Sequence, residues 1–293
     1  MKTIGLAPNP NKKEAVELAI ELAQWLAERH VRPILVREVA TSAGAASLAA
    51  DDDEVASADM LIVLGGDGTM LRWNRLAARL GTPMLGVNFG QYGFITEIHP
   101  KETTAALSKI LQGDYVVSER VVLRAAVCRG SERTGEYFAL NDAVVSKGPV
   151  TRMLGLHTFV NGRFIVTYSA DGIIVSTPTG STAYSLSAGG PVVHPNVSVL
   201  IITPICPHTM NARSLVIPDT ETVRICGETS EHEVEIALTM DGQVMHRLTP
   251  EDTVEISKAD FAAKLIQLDP QSFYNKLQNR LRWGERFSGE QQC

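Results

Sequence analysis

The segment from residue 60 to residue 80 constrains the fold of this chain more than any other. Five consecutive apolar residues, Met60–Leu64, run directly into Gly65-Gly66-Asp67-Gly68, and helical spacing begins at about Thr69. A strand that is apolar on both faces is typical of a parallel sheet covered by helices on each side. The segment therefore predicts a buried strand, a tight glycine turn and a helix.

The rest of the first third repeats this alternation of strand and helix. Its apolar spacing predicts strands at residues 3–7, 33–36 and 83–87 and helices at 13–28, 69–80 and 102–111. The Ala-, Ser- and Asp-rich stretch that ends at Asp51-Asp52-Asp53 is predicted to be a loop with some helix. The alternation indicates an α/β amino-terminal domain with an open, mostly parallel sheet over residues 1–113.

A second domain is indicated because the pattern changes near Gly113. Short, β-branched runs predict strands at 121–127, 143–146, 157–160, 172–176, 199–203, 222–226, 234–238 and 253–256, with Asn161-Gly162 as a hairpin turn. We therefore expect a β-rich carboxy-terminal domain over residues 114–268. The tail, 269–293, returns to helical spacing between 271 and 283, and we expect it to pack on the first domain or on a subunit partner.

Composition excludes several classes of protein. The 293 residues carry 27 Lys+Arg against 33 Asp+Glu, a formal charge of −6 without a basic stripe, so we expect neither nucleic acid nor an anionic membrane as a partner. The longest apolar run is Met60–Leu64, against about 18 residues needed to span a bilayer. The four cysteines are scattered without a C-x-x-C pair, which fits a reducing cytosol. We expect a soluble, cytoplasmic protein.

The turn after the buried strand is the first candidate site. Glycines let backbone N–H groups approach an anion, and the start of a helix adds partial positive charge, so Gly65-Gly66-Asp67-Gly68-Thr69 suits phosphates. Asp67 would repel phosphate unless it holds Mg²⁺ or accepts a hydroxyl proton. The alternative is a tight turn in which Asp67 only caps the helix. The chain has no G-x-x-x-x-G-K-[ST] and no G-x-G-x-x-G after its first strand.

Two further loops suit a ligand close to the backbone. Asn88-Phe-Gly-Gln-Tyr-Gly93-Phe94 follows a predicted strand, although a loop of this kind is more often structural. Most residues from 176 to 187 carry a hydroxyl, and Gly189-Gly190-Pro191 closes the stretch. Hydroxyls and exposed amides in a fixed loop suit the polar edges of a base, ribose or pyrophosphate; the alternative is a solvated Ser/Thr turn. Asn141-Asp142 and Asp241-Gly242-Gln243 are smaller candidates, each also compatible with an ordinary turn.

Taken together, these segments resemble the NAD kinase family. Gly65 to Thr69 is similar to the family's phosphate-donor motif, the loop at 88–94 to its N-x-G-x-x-G-F loop, and Asn141-Asp142 to its Asn-Glu pair. Residues 176–191 match its hydroxyl-rich signature almost letter for letter. The G-G-D-G turn alone also occurs in lipid kinases and phosphofructokinases, whereas P-T-G-S-T-A-Y-S-L-S-A-G-G-P is specific. The similarity extends over most of the chain and is best from 61 to 195.

The resemblance implies an enzyme that transfers the γ-phosphoryl of ATP, or of polyphosphate in some members, to the 2′-hydroxyl of the adenosine ribose of NAD. It implies Mg²⁺ on the donor phosphates, a site in the cleft between an α/β and a β-rich domain, and a homodimer or homotetramer. Asp67 would be the general base, and Gly65, Gly66, Gly68 and Thr69 the phosphate-donor loop. The residues implied to bind NAD are Asp67, Gly68, Arg72, Asn141, Asp142, Arg152, Ser169, Asp171, Thr182, Ala183, Tyr184, Ser185, Leu186, Ser187 and Gln243.

Two positions depart from the family pattern, and two other functions compete with this one. Asp142 stands where Glu is commoner, which shortens the reach of the carboxylate by one methylene, and Ser169 stands where many bacterial relatives have a basic residue. The competing hypotheses are a lipid or sugar kinase that shares the G-G-D-G turn and a non-catalytic dinucleotide sensor that keeps the pocket.

Overall fold

Strands and helices alternate along the first third of the chain in the computed structural model, which describes residues 1–90, 93–148, 154–209, 211–228, 235–269 and 272–281. The elements in this part are β1 Thr3–Pro8, α1 Lys13–Ala27, β2 Arg32–Val36, α2 Arg37–Ser42, β3 Ala49–Ala50, α3 Asp52–Ala56, β4 Met60–Leu64, α4 Asp67–Leu80, β5 Met84–Val87 and α5 Thr103–Leu111. Short 3-10 turns lie at Ala46–Leu48 and Pro100–Glu102.

A parallel sheet in the order β3-β2-β1-β4-β5 forms the centre of the first compact unit. This unit contains Met1–Trp73, Thr82–Ser118 and the described residues from Leu265 onward. All five residues of β4 are buried, as expected for a strand with helices on both sides. The predicted α/β class with a mostly parallel sheet is confirmed.

The stretch after β2 is more regular than the loop that its sequence suggests. It contains α2, the short strand β3, which pairs in parallel with β2, and α3. The carboxylate of Asp51 accepts a hydrogen bond from the amide of Glu54 at 2.8 Å and so caps α3. Small residues and short elements give too little apolar period for such a segment to be recognised in advance.

The remainder of the chain is mostly strand. Its elements are β6 Val116–Arg129, β7 Glu132–Ala139, β8 Asp142–Lys147, β9 Leu154–Val160, β10 Arg163–Ala170, β11 Gly172–Ser176, β12 Val199–Ile205, β13 Leu215–Pro218, β14 Val223–Gly227, β15 Ile236–Met240, β16 Val244–Leu248 and β17 Asp252–Gln267. A 3-10 turn at Thr179–Thr182 and the helix α6, Tyr184–Ser187, follow β11.

Two groups of strands build the second compact unit, which contains Asn74–Gly81 and Glu119–Lys264. One antiparallel sheet has the order β13-β12-β11-β8-β15-β16, and the other strands pair as β10-β9-β14-β17, with β6 beside β17 and β7 beside β6. Leu156, Ile173, Val175, Ile225 and other buried side chains from both groups form one apolar core. The predicted β-rich class of this part of the chain is confirmed.

The predicted hairpin turn at Asn161-Gly162 is present, with φ of 49° and 77°, and joins β9 to β10. Strands β7, β10, β13 and β16 were not predicted because much of their surface is exposed, which removes the apolar pattern that identifies a strand.

The tail forms α7, Ser272–Leu281, in which Leu277 and Lys276 are buried. Among the described residues, no helix combines the length and the apolar character that crossing a bilayer requires.

Candidate active site

The order of the parallel sheet reverses between β1 and β4, and in open α/β sheets ligands bind where the carboxyl ends of such strands meet. Two loops leave the sheet at this point. Asn9 follows β1, and its amide donates to the Leu64 carbonyl at 2.8 Å. Gly65 follows β4, and its amide donates to the Val87 carbonyl at 2.9 Å. The glycine motif therefore lies where the topology predicts a ligand.

The two leading glycines of the motif have different surroundings. A Cβ on Gly65 would collide with the side chain of Thr69, so this position requires glycine for packing inside the turn. A Cβ on Gly66 would meet no atom of the described residues within 4 Å. Gly66 therefore borders open space, and its backbone is accessible to a ligand.

The carboxylate of Asp67 is held by the second glycine loop. Its Oδ2 accepts from the amide of Phe94 at 2.9 Å, and its Oδ1 accepts from the amides of Ile95 and Thr96 at 3.3 and 3.2 Å and from the Thr96 hydroxyl at 3.3 Å. A Cβ on Gly93 would collide with this carboxylate. In its described part, the loop at 88–94 thus approaches the Asp67 carboxylate and helps to orient it.

The hydrogen bonds of Asp67 contradict the interpretation that this residue only caps the helix. The carboxylate does not cap α4, because its hydrogen bonds run to residues 94–96 and not to the amides of its own helix. Oδ2 accepts one hydrogen bond and Oδ1 three, so Oδ2 keeps more capacity for a further donor.

The hydroxyl-rich stretch corrects the expectation that its hydroxyls lie open to a ligand. The side chains of Ser176, Thr177, Ser181 and Ser185 are fully buried. The Thr177 hydroxyl donates to the Leu140 carbonyl at 2.6 Å and accepts from the Gly180 amide at 3.0 Å. The Ser181 hydroxyl donates to the Pro178 carbonyl at 2.7 Å and accepts from the Val193 amide at 3.0 Å. These hydroxyls hold the loop itself in shape.

The residues of this stretch that are implied to bind NAD differ in their exposure and in their hydrogen-bond partners. The hydroxyl of Ser185 lies 3.0 Å from that of Thr203, and the Ser185 carbonyl accepts from the Gly190 amide at 2.8 Å, so both groups already have partners within the loop and the adjoining strand. Thr182 is partly buried and donates to the Thr179 carbonyl at 3.2 Å. Leu186 is partly buried, whereas Ser187 and the ring of Tyr184 are exposed. Gly180 must be glycine, because a Cβ there would collide with the backbone of Asn141.

A cavity of about 350 Å³ lies beside this loop within the β-rich unit. It is lined by Asn141, Asp142, Val144, Ser146, Ala183, Tyr184, Thr239, Asp241 and Gly242. Four of these residues, Asn141, Asp142, Ala183 and Tyr184, belong to the set implied to bind NAD. The amide oxygen of Asn141 is buried and has no hydrogen-bond partner among the described residues, so a donor from a ligand would relieve an unpaired acceptor.

Asp241 fixes the backbone of that cavity wall. It begins the turn between β15 and β16 with a φ of 52°, and its carboxylate accepts from the amides of Leu140, Asn141 and Asp142 at 2.9, 2.7 and 3.2 Å. Burial raises the pKa of Asp241, although these three donors and the charge of Arg75 act in the opposite direction. The three amides set the position of the Asn141-Asp142 pair.

Asp142 lies in the same cavity with only 4% of its surface exposed. Burial, and after it the charge of Asp241, raises the pKa of Asp142 to about 7. A carboxylate in this setting is a strong acceptor for ligand hydroxyls once it is ionised, and its charge changes near neutral pH.

Asp171 has a cationic partner that the sequence did not identify. Its carboxylate forms an ion pair with Lys147 at 2.6 Å, and the Lys147 side chain is 16% exposed. Ser169 lies on β10 two residues before Asp171. The β-rich unit therefore presents a cation beside Asp171 from β8.

Two of the remaining residues implied to bind NAD, Arg72 and Gln243, have exposed side chains. Arg72 is exposed on α4 and lies 3.8 Å from Asp52 in an ion pair. Gln243 is exposed after the β15–β16 turn. Arg152 lies outside the described residues. Among the described residues, no three His, Cys, Asp or Glu side chains are grouped so that they could hold a metal ion.

Asp241 and Lys147 are the functional candidates that sequence reasoning missed or undervalued. Asp241-Gly242 is a common hairpin sequence, and nothing local shows that its carboxylate bonds residues 140–142, about 100 positions earlier. Lys147 directly follows the strand predicted at 143–146, and its pairing with Asp171 depends on the register between β8 and β11.

Comparison with known proteins agrees with this geometry. The model of the ATP-NAD kinase N-terminal domain matches residues 4–115, and that of the ATP-NAD kinase C-terminal domain matches residues 140–268. The chain is 43% identical to the NAD kinase of Moorella thermoacetica over 97% of this chain and 90% of the relative. It is 40% identical to that of Geotalea daltonii over 98% of this chain and 100% of the relative.

Solved structures share the fold. A crystal structure of yeast NADH kinase complexed with NADH superposes with a TM-score of 0.90 at 24% identity, covering 98% of this chain and 89% of that chain. An NAD kinase from Archaeoglobus fulgidus in complex with ATP superposes with a TM-score of 0.75 at 23% identity, covering 96% and 99%.

The fold and the site thus define a kinase with an α/β part and a β-rich part. More particularly, the chain belongs to the ATP-NAD kinase family, as the two family models and the relatives at about 40% identity show. The family resemblance stated from the sequence is confirmed.

Proposed function

We propose that this enzyme transfers the γ-phosphoryl group of ATP to the 2′-hydroxyl of the adenosine ribose of NAD, which yields NADP and ADP. The observation that carries the proposal is the cavity that groups Asn141, Asp142, Ala183 and Tyr184, four residues implied to bind NAD. Its unpaired Asn141 oxygen and its buried Asp142 carboxylate suit the hydroxyl groups of a nucleoside.

Asp67 is the general base in this proposal. The ribose oxygen attacks the γ-phosphorus, the bond from that phosphorus to the bridging oxygen of ADP breaks, and the ribose proton passes to Asp67. Oδ2 is the oxygen that takes the proton, since it accepts one amide hydrogen bond where Oδ1 accepts three donors. Such assistance contributes about 10²–10⁴ in rate.

The donor phosphates bind at the glycine motif. Gly66 offers backbone next to open space, and Gly65, Gly68 and Thr69 complete the turn at the start of α4. The donor is ATP, with inorganic polyphosphate as the alternative chain of phosphates.

In this proposal Mg²⁺ binds to the donor phosphates and is not held by a set of protein side chains. Both oxygens of Asp67 already accept hydrogen bonds, and the described residues offer no cluster of acidic or histidine ligands. Mg²⁺ is commonly held by substrate phosphates and waters with few protein ligands. When bound there, it neutralises charge on the phosphates.

The NAD-binding set is proposed as the resemblance implies it. Asn141, Asp142, Ala183 and Tyr184 act from the cavity, and Asp171 acts with its Lys147 partner. The further members are Asp67, Gly68, Arg72, Arg152, Ser169, Thr182, Ser185, Leu186, Ser187 and Gln243.

The enzyme is proposed to form a homodimer or homotetramer and to work in the cytoplasm. Exposed apolar side chains on the outer strands β10 and β13, namely Phe164, Ile165, Leu215 and Val216, support association with further copies. Cys128, Cys206 and Cys226 are free thiols, the state that a reducing compartment maintains.

One assay tests the proposed reaction. Purified protein is incubated with Mg²⁺, each of ATP and polyphosphate as donor, and each of NAD and NADH as acceptor, and the product is read with an NADP-specific dehydrogenase. NADP formation from NAD and ATP is expected. Activity only on diacylglycerol or fructose 6-phosphate would identify a lipid or sugar kinase, and calorimetric NAD binding without NADP would identify a dinucleotide sensor.

A further inference from the structure

A buried ion pair lies directly after the loop that holds Asp67. Oε2 of Glu97 lies 2.7 Å from Nζ of Lys276 on α7, and the two side chains are 5% and 9% exposed. Oε1 of Glu97 accepts from the amides of Leu268 and Asp269 at 3.2 and 3.4 Å. Glu97 therefore connects this loop to the end of β17 and to α7 within the first unit.

The segment from Phe94 to Glu97 is fixed on three sides. The amides of residues 94–96 donate to Asp67, and the amide of Glu97 donates to the Gly86 carbonyl of β5 at 2.9 Å. The Glu97 carboxylate then bonds Lys276. Because these contacts come from consecutive residues, a shift of Glu97 changes the direction of the amides that hold Asp67.

Loss of one partner would produce such a shift. A buried charge without its counterion is strongly unfavourable, in contrast to an exposed pair, whose loss has little effect. A cavity of about 450 Å³ borders the pair and includes Glu102, Lys109 and Asn279 in its lining. The Glu97 side chain therefore has space into which it can turn towards water.

We propose that Glu97 and Lys276 are positioning residues for phosphoryl transfer, since their ion pair fixes the loop whose amides orient the Asp67 carboxylate. The proposal rests on the role of Asp67 given above. It assigns α7 a part in catalysis that acts through Asp67.

The first test replaces Lys276 by Met, which keeps most of the volume and removes the charge. We expect kcat to fall at least about tenfold with KM for NAD and ATP changed little, since a displacement of about 1 Å can cost as much as ~10² in rate. The matched control is Lys13→Met, which breaks the exposed Lys13–Glu17 pair on α1 and leaves kcat unchanged.

Two further variants separate positioning from general damage to the fold. Glu97→Gln combined with Lys276→Met leaves no buried charge, and we expect it to recover kcat to within about threefold of the parent enzyme because paired neutral replacements are tolerated. In an Asp67→Asn background, Lys276→Met is expected to cost no further kcat, since the residue through which it acts is gone.

The outcomes distinguish this inference from the proposed function. Full turnover in Asp67→Asn would overturn the role of Asp67 and this inference with it. Low turnover in Asp67→Asn together with unchanged turnover in Lys276→Met would overturn the inference alone. An equal fractional loss from Lys276→Met in both backgrounds, or no recovery in the double replacement, would also overturn it.

Discussion

At the scale of single residues, Asp67 has a structural contact that supports its proposed role as general base. Its carboxylate is the acceptor for the amides of Phe94, Ile95 and Thr96, which fixes its direction before any substrate binds. A base held in this way needs no reorganisation at the moment of proton transfer. The same hydrogen bonds mean that a substitution at this position affects the loop as well as the reaction.

Asp67→Asn is expected to lower kcat by about 10²–10⁴, since the amide cannot accept the ribose proton. Its NH₂ group also faces backbone donors, so we expect a lower thermal midpoint. Steady-state kinetics and calorimetric binding of NAD separate the two effects, because binding is retained. Asp53→Asn, an exposed position on α3, is the matched control and leaves kcat unchanged. Turnover near that of the parent enzyme in Asp67→Asn would contradict the assignment.

If Asp142 binds NAD as proposed, we expect NAD binding to depend on pH. Because burial and the charge of Asp241 raise its pKa to about 7 from 3.8, the ionised form is gained only as pH rises through neutrality. Ribose hydroxyls donate more strongly to the ionised carboxylate. KM for NAD is therefore expected to fall as pH rises through about 7, and this dependence is expected to disappear in Asp142→Asn.

The raised pKa of Asp142 also makes the free energy of unfolding depend on pH. Between pH 3.8 and about 7 the folded state binds the Asp142 proton and the unfolded state does not, so the free energy of unfolding falls as pH rises through this window. Asp142→Asn is expected to flatten that fall in urea unfolding. Asp260→Asn, an exposed position on β17, is the control with an unchanged profile. An identical slope in Asp142→Asn and the parent enzyme would contradict the shift.

At the scale of elements, spacing in the sequence predicted most of the fold. Apolar patterning identified α1, β4 and β11 to within two residues: α1 has one buried face with helical spacing, and β4 and β11 are continuous buried runs. The exposed strands β7 and β10 carry no such pattern and were missed.

The hydroxyl-rich loop at 176–187 was predicted to be a binding loop whose hydroxyls contact a ligand. Their actual partners, such as the Leu140 carbonyl, come from distant residues that local sequence does not reveal.

The glycine turn offers a prediction that separates packing from ligand access. Gly66→Ala places its methyl group where no atom of the described residues lies within 4 Å, so we expect an unchanged thermal midpoint and a KM for ATP raised at least about tenfold by contact with the phosphates. Gly65→Ala is the contrasting variant: its methyl group meets Thr69, and we expect lower stability. The pair is compared by thermal unfolding and by ATP titration. A normal KM in Gly66→Ala would remove the donor phosphates from this turn.

At the scale of the whole molecule, each compact unit holds its key carboxylate in the same way. In the first unit, Asp67 accepts amides from residues 94–96, and in the second, Asp241 accepts amides from residues 140–142. In both cases a buried or half-buried carboxylate joins two distant segments, and for Asp67 the close approach requires Gly93. Such contacts leave little trace in local sequence, which explains why motifs suggested candidate residues and did not reveal the hydrogen bonds that hold them.

Hydrogen exchange can test each unit separately in the intact protein. A ligand bound in the cavity of about 350 Å³ should slow hydrogen exchange in β8 and in the β15–β16 hairpin. Its contacts would add to the hydrogen bonds that the Asp241 carboxylate accepts from the amides of Asn141 and Asp142. At a ligand concentration of 100 Kd the stabilisation is about 2.7 kcal/mol, which slows amides that exchange through opening of the site by about 100-fold. We expect NAD to produce this protection.

ATP without NAD serves as the contrasting ligand. It is expected to slow exchange at residues 64–70 and to leave the β15–β16 hairpin unchanged, since the donor phosphates are assigned to the glycine turn. The hairpin between β6 and β7 joins exposed residues and supplies an internal reference that neither ligand alters. Protection of residues 140–147 by ATP but not by NAD would reverse the assignment of the two substrates, because the cavity would then belong to the donor.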